Sequence, residues 1–154
     1  MLIDHARVEC QSHHFSYNED LGVQTVTQSV ADLYFDEGKG KKKMSRPFGT
    51  SLLIAGIDEN GPSLYQTDPS GTFHKWEARA IGSAAEGAQA YIQESYSADM
   101  SIDEAKKLCL QTLKNVMEEK INKWNVEIAA ITTESKKFEI FTPDHVDGLI
   151  GTLS

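Results

Sequence analysis

Little in this chain points to a covalent or metal-bound framework. Of its 154 residues only two are cysteines, Cys10 and Cys109, far apart, with no CxxC and no histidine at metal spacing. That excludes a disulfide-stapled scaffold and reads as two reduced thiols in an intracellular protein. Positive charge is also scarce: 15 Lys plus Arg stand against 23 Asp plus Glu, a formal net charge of −8 and a pI near 5.1. A general nucleic-acid binder needs a basic face to neutralise phosphates, so that class is excluded, although a local basic patch is not. No apolar run approaches membrane-spanning length and no signal peptide is legible, so the expected protein is soluble.

What is present suits one globular domain, residues 1–154. A hydrophobic share of 40% with 25% charged residues is ordinary for a chain long enough to bury a substantial core. Residues 1–37 read as a helix pair. The first helix, Met1 to Ser16, has Leu2, Ile3, Ala6, Val8 and Cys10 among interleaved charges. It starts with no capping residue ahead of it, as a truncated or internally initiated chain would. The second places Val23, Val26, Val30, Leu33 and Tyr34 on one face, with Gln24, Thr27, Gln28 and Asp32 elsewhere. It ends before Gly38, and the tract Gly38 to Lys43 reads as loop.

Residues 45–79 read as a three-strand meander, and Ser45 to Gln89 is the stretch around which the rest is organised. Phe48 to Ile57 is almost continuously apolar, as in a strand buried on both faces. Asp58-Glu-Asn-Gly61 carries the Asn-Gly signal of a tight hairpin, Ser63 to Thr67 returns, Asp68-Pro-Ser-Gly71 turns again, and Thr72 to Arg79 alternates as a third strand. Residues 83–120 read as a helix hairpin with S-x-x-E capping boxes at Ser83/Glu86 and Ser101/Glu104. Gly82, Ala84, Ala85, Gly87, Ala88 and Ala90 keep the first of these helices slim. In the second, Ala105, Leu108, Cys109, Leu113, Val116 and Met117 are expected to face the core. Residues 125–141 give two further strands, with Phe138 and Ile140 on one face. Thr142-Pro143 starts a closing helix over 143–153. Strand runs separated by helix pairs indicate an α+β fold with mostly antiparallel sheet.

No group of residues makes a convincing reacting set. Gly82 to Gly87 has the spacing of a phosphate loop, but Ala88-Gln89 stand where Lys-Ser/Thr is required, and a close-packed helix start explains the glycines better. His5, His13 and His14 share a helix with Asp4, Glu9 and Cys10, yet only pairs four residues apart align, short of the three or four ligands a metal needs. Asp68, Ser70 and His74 lie close in sequence, but Ser70 suits a turn and nothing builds a nucleophile elbow or oxyanion hole. The Lys39 to Lys43 run reads as a solvated loop, or as a patch for an acidic partner or nuclear import. Trp76 and Trp124 read as core or interface anchors. The expectation is therefore no catalytic, cofactor-binding or metal-binding residue.

Several pieces together carry a resemblance. They are Ile3-Asp-His-Ala-Arg7, Thr27-Gln-Ser-Val30, Ser45-Arg-Pro-Phe-Gly49, Asp68-Pro-Ser-Gly-Thr-Phe73, Ala80-Ile-Gly-Ser-Ala-Ala-Glu-Gly-Ala-Gln89 and Val116-Met-Glu-Glu-Lys120. In this order they resemble the alpha-type subunits of the 20S proteasome over the whole chain. The resemblance implies a four-layer αββα sandwich of the N-terminal-nucleophile hydrolase type, here incomplete because the first strands have no counterpart. The pore-gating N-terminal tail, the axial helix and the region with the activator-pocket lysine would likewise be missing. Gly38 to Lys43 is more basic than the family pattern.

The function implied is structural: a non-catalytic subunit that packs beside other alpha subunits in a seven-membered ring and seats it on the beta ring, within ubiquitin-dependent protein degradation. It implies no cofactor, no membrane or nucleic-acid partner, and residence in cytoplasm and nucleus. Met1 to Ser16 would be contact surface, with Arg7 a candidate for interface pairing. The isolated chain is expected to be unstable or to self-associate, since missing strands expose apolar edges. The competing readings are an active N-terminal-nucleophile threonine peptidase, which needs an N-terminal threonine that Met1-Leu2 does not supply, and a stand-alone interaction domain of the same fold.

Overall fold

A computed structural model describes residues 2–33 and 50–153 of the chain. The Lys39 to Lys43 tract, Tyr34 and the Ser45 to Gly49 piece lie outside the described residues. The chain divides into two compact units, Met1–Glu77 and Ala78–Ser154.

The first unit sets two helices and a three-stranded antiparallel sheet in sequence order: α1 (Leu2–Tyr17), α2 (Val23–Asp32), β1 (Leu52–Asp58), β2 (Gly61–Thr67) and β3 (Phe73–Trp76). Helix α1 stops because Asn18 turns left-handed (φ 52°) while its N–H still bonds to the His14 carbonyl at 2.8 Å. Helix α2 supplies most of the core, Leu2, Val26 and Val30 being buried and packed by Ala6, Cys10, Leu21, Leu33, Leu52 and Ile54. Thr27, expected on the polar face, is fully buried. Its hydroxyl is satisfied by the Val23 carbonyl at 2.9 Å, so its methyl can join the core without an orphaned polar group.

Strand β1 is not buried on both faces. Leu52, Ile54 and Gly56 are partly covered, whereas Leu53 and Ala55 are exposed. The reason is that α2 packs on one face only, so an apolar run that reads as doubly buried is half open. The first hairpin turn falls on Asp58 to Gly61, as expected. Asp58 pairs with Gly61, so Glu59 and Asn60 make the bend and Gly61 takes the positive φ of 96°. Asp58 Oδ1 accepts from Asn60 N–H at 2.9 Å, which favours that arrangement. The second turn is as expected: Gly71 N–H bonds to the Asp68 carbonyl at 2.9 Å across Pro69-Ser70, with Gly71 at φ 81°.

The second unit holds α3 (Ala85–Ser95), α4 (Ile102–Val116), the two-stranded antiparallel sheet β4 (Ala129–Ile131) and β5 (Phe138–Ile140), and α5 (Pro143–Ile150). Its core is Leu110, Ile121, Val126, Ile128 and Val146, packed by Leu113, Met117, Phe141, Leu149, Ile150 and Leu153. The inner face of α4 is therefore centred on Leu110, which is 0% exposed, and Cys109 is turned outward. Of the residues expected to face inward, Ala105, Leu108, Leu113, Val116 and Met117 are partly buried, with Leu113 and Met117 on the core, whereas Cys109 is exposed and Leu110 was not anticipated.

Of the two capping boxes one forms. Glu104 N–H donates to Ser101 Oγ at 3.2 Å and Ser101 N–H to Glu104 Oε2 at 2.7 Å. At Ser83 none forms. Gly82 (φ 106°) turns the chain, the helix starts a residue late behind Ala84, and no side chain caps it. Glu86 then falls at the second helical position, too early to reach back. The closing helix starts as expected, with His145 N–H donating to Thr142 Oγ1 at 3.3 Å and Pro143 in the first turn. Strands segregated from helices, all pairing antiparallel, make the class α+β.

Candidate assembly surface

The ligand-like pieces of the sequence resolve into structural roles. Ser70 and Thr72 share a hydrogen bond at 3.1 Å, and Thr72 donates to Asp68 Oδ2 at 3.3 Å. Gln66 occupies the other Asp68 oxygen at 3.3 Å. This network braces the turn, while His74 lies out on the strand opposite Gln66 in register. A nucleophile, base and orienter need to converge for acyl transfer, and these side chains serve the turn instead.

The α1 histidines disperse. His5 Nε2 meets Ser29 Oγ on α2 at 3.2 Å and Glu9 at 3.9 Å; His14 faces Asp20 at 3.3 Å; His13 packs on the Tyr17 ring with centroids 4.8 Å apart. Among the described residues no three of the His, Cys, Asp and Glu side chains come together as a metal site would require. Cys10 packs into the core of its unit. Burial first, then the Glu9 and Asp20 carboxylates, push its thiol above the ordinary cysteine value, which keeps it protonated and a poor nucleophile at neutral pH.

An open groove in the second unit is lined by Arg79, Ala85, Glu86, Gln89, Ala90 and Gln93. Its polar centre is already committed: Gln89 Oε1 accepts from Ala80 N–H at 2.9 Å and its Nε2 donates to the Ala78 carbonyl at 3.4 Å. Gln89 thus staples the segment 78–80 to α3. The sequence marks Gln89 as a departure from a phosphate loop and as part of a resemblance, but not in that role. Its signal would have been a long amide on an otherwise small-residue helix face.

The remaining candidate feature is surface. Helix α1 buries only Leu2, leaving Ile3 58%, Val8 64%, Phe15 92% and Tyr17 68% exposed. Val8 and Phe15 are seven residues apart and so share one stripe of the helix. Arg7 beside them is exposed, as an interface cation would be. Phenylalanine at that exposure is unusual on an unpartnered helix, and an apolar stripe rimmed by charge suits protein contact. In the second unit Trp124 is 78% exposed, with Lys123 Nζ 5.2 Å from its ring centroid. It is not a core residue, because the three neighbouring Asn122–Asn125 turn hydrogen bonds hold it outward.

Comparison with known proteins gives this surface a context. The family described as "Proteasome subunit" matches residues 1–131. A relative from Dictyostelium discoideum, "Proteasome subunit alpha type-5", is 53% identical over 156 aligned residues, covering 99% of this chain and 65% of the relative. Proteins of the same description from Trypanosoma brucei brucei and Drosophila melanogaster are 48% and 46% identical, over 97% and 95% of this chain and 62% of each relative. The chain thus spans a little less than two thirds of the length of these relatives. With most of its residues inside the family match, the chain belongs to the proteasome subunit family.

Proposed function

We propose that this chain acts as a non-catalytic, alpha-type ring subunit of the proteasome core particle, contributing to ring assembly for ubiquitin-dependent protein degradation. The observation that carries the proposal is helix α1, which packs Leu2, Ala6 and Cys10 inward yet leaves Ile3, Val8, Phe15 and Tyr17 on solvent, with Phe15 at 92% exposure. An identity of 53% to a protein described as an alpha type-5 proteasome subunit supports the same reading. In this proposal α1 docks on neighbouring alpha and beta subunits, Val8 and Phe15 supplying apolar contact and Arg7 a charged rim. Proteolysis would belong to other subunits of a threonine-type endopeptidase complex. The finer architecture we propose is the four-layer αββα sandwich of N-terminal-nucleophile hydrolases, and the site of action is cytoplasm and nucleus.

Expressing the epitope-tagged chain in its own cells and resolving the lysate on native gels tests assembly. The tag is expected in a very large particle containing alpha and beta subunits, and Phe15→Asp should drive it out of that particle. A tag that migrates only as a small species would sink the reading. Incubating the purified chain with fluorogenic peptides and a threonine-directed inhibitor tests the peptidase alternative, for which covalent labelling would be decisive.

A further inference from the structure

The open edge of β5 is self-complementary. Strand β5 pairs with β4 in the register Ala129↔Ile140, Ala130↔Glu139 and Ile131↔Phe138, and among the described residues this sheet has no third strand. Phe141 N–H bonds to the Ile128 carbonyl at 2.9 Å. Alternation along an antiparallel ladder then directs the backbone groups of Glu139 and Phe141 toward β4, and those of Phe138 and Ile140 outward. All three β5 residues are exposed, Phe138 at 67% and Ile140 at 66%.

We propose that this edge pairs with the same edge of a second copy of the chain, antiparallel, with Phe138 on the two-fold axis. In that register Phe138 of each copy exchanges both backbone hydrogen bonds with its mate, and Lys137 of each copy stands opposite Glu139 of the other. Residues 137 and 139 form non-hydrogen-bonded pairs, in which facing side chains approach most closely. The two-fold operator therefore makes two opposite-charge pairs from one Lys-x-Glu sequence. The neighbouring registers do worse. Centring on Glu139 sets the two glutamates against each other at closest approach, and centring on Ile140 leaves Glu139 facing Phe141. An edge lysine ordinarily blocks pairing with another strand; here the glutamate two residues on converts the block into a register. Each copy carries −8, but at physiological salt charges more than about 8 Å apart are largely screened, so the facing pairs outweigh the overall repulsion.

The proposal concerns the purified chain alone and does not rest on the ring-subunit reading. Sedimentation equilibrium over a concentration series is expected to show a reversible dimer. Lys137→Glu and Glu139→Lys should each weaken it by about tenfold, two attractions becoming two repulsions. The double reversal should restore it. All four positions of exchange are exposed, and circular dichroism of each variant confirms that the fold is kept. In a Cys10→Ser, Cys109→Ser background, Phe138→Cys should oxidise to a cross-linked dimer faster than Glu139→Cys or Ile140→Cys. A monomer throughout, single reversals without effect, or fastest cross-linking at 139 or 140 would overturn the proposal.

Discussion

Helices α2 and α4 are the main buried helices of their units, and they are seated in opposite ways. Helix α4 drives a large side chain, Leu110, into its core and caps itself three residues into its own sequence through Ser101 and Glu104. Helix α2 comes down on an absence. A Cβ on Gly56 would lie 2.7 Å from Val23 Cγ2, so the strand beneath α2 must be bare there. Its cap is also borrowed: Val23 N–H donates to Asp58 Oδ2 at 2.9 Å, from a hairpin 35 residues away in sequence. One helix is specified locally and the other by a strand it meets only on folding. That difference makes the second unit's helix robust to changes elsewhere and ties the first unit's helix to its sheet.

The most damaging test of the local side is Leu110→Ala. Removing a fully buried leucine should cost about 3 kcal/mol by lost burial and the cavity left behind, read from denaturant unfolding. A loss below about 1 kcal/mol would mean that the core does not close around α4.

Next comes Gly56→Ala, expected to destabilise by about 2 kcal/mol through overpacking against Val23. Introducing Val23→Ala into the same chain should recover part of that loss, a coupling that two independent sites would not show. Additive losses would remove the close approach from the account of α2. Gly56 was open to being read from sequence, since a glycine inside an apolar strand marks a bulge or a close backbone approach. What sequence could not supply was the partner.

The same limit explains which parts of the fold were legible. Ser101/Glu104 and Thr142-Pro143 carry their geometry within four residues, and they formed as read. Ser83/Glu86 has the same letters but follows Gly82, whose positive φ delays the helix and spoils the spacing. The exchange of Leu110 for Cys109 on α4 has a related origin: a period fixes the type of an element before it fixes every residue of its inner face. The assembly surface was legible as a helix with apolar letters. That Val8 and Phe15 stay exposed depends on α2 taking the core contacts through Val26 and Val30, which no local pattern in α1 states.

Asp58→Ala should cost about 1 kcal/mol, the usual scale for losing an N-cap, and should speed amide exchange in the first turn of α2 while leaving α4 unchanged. The bonds from Val23 and then Asn60 hold the Asp58 carboxyl below its ordinary value. A carboxyl depressed in the folded state gives its full stabilisation above its unfolded pKa, about 4, and loses it as pH falls through the folded value. The gap between Asp58→Ala and the unaltered chain should therefore be full at pH 6 and close progressively below pH 4. A gap independent of pH would assign the loss to packing and not to the charged cap.

Ser101→Ala is the smallest of these effects, about 0.5 kcal/mol, at the low end for caps because the site is exposed and the helix behind it is anchored by Leu110. Exchange should quicken for the first α4 amides, Glu104 above all, and not for α2. Glu104 is itself held below its ordinary value by the Ser101 backbone and hydroxyl, so its half of the box also weakens in acid, in the same direction as Asp58. The two caps then differ in reach and not in chemistry. Losing the local one should fray a single turn, whereas losing the remote one should loosen both α2 and the hairpin that holds Asp58. Exchange that spreads from Ser101→Ala into β4 and β5, or that stays confined to Val23 in Asp58→Ala, would reverse the contrast between the two helices.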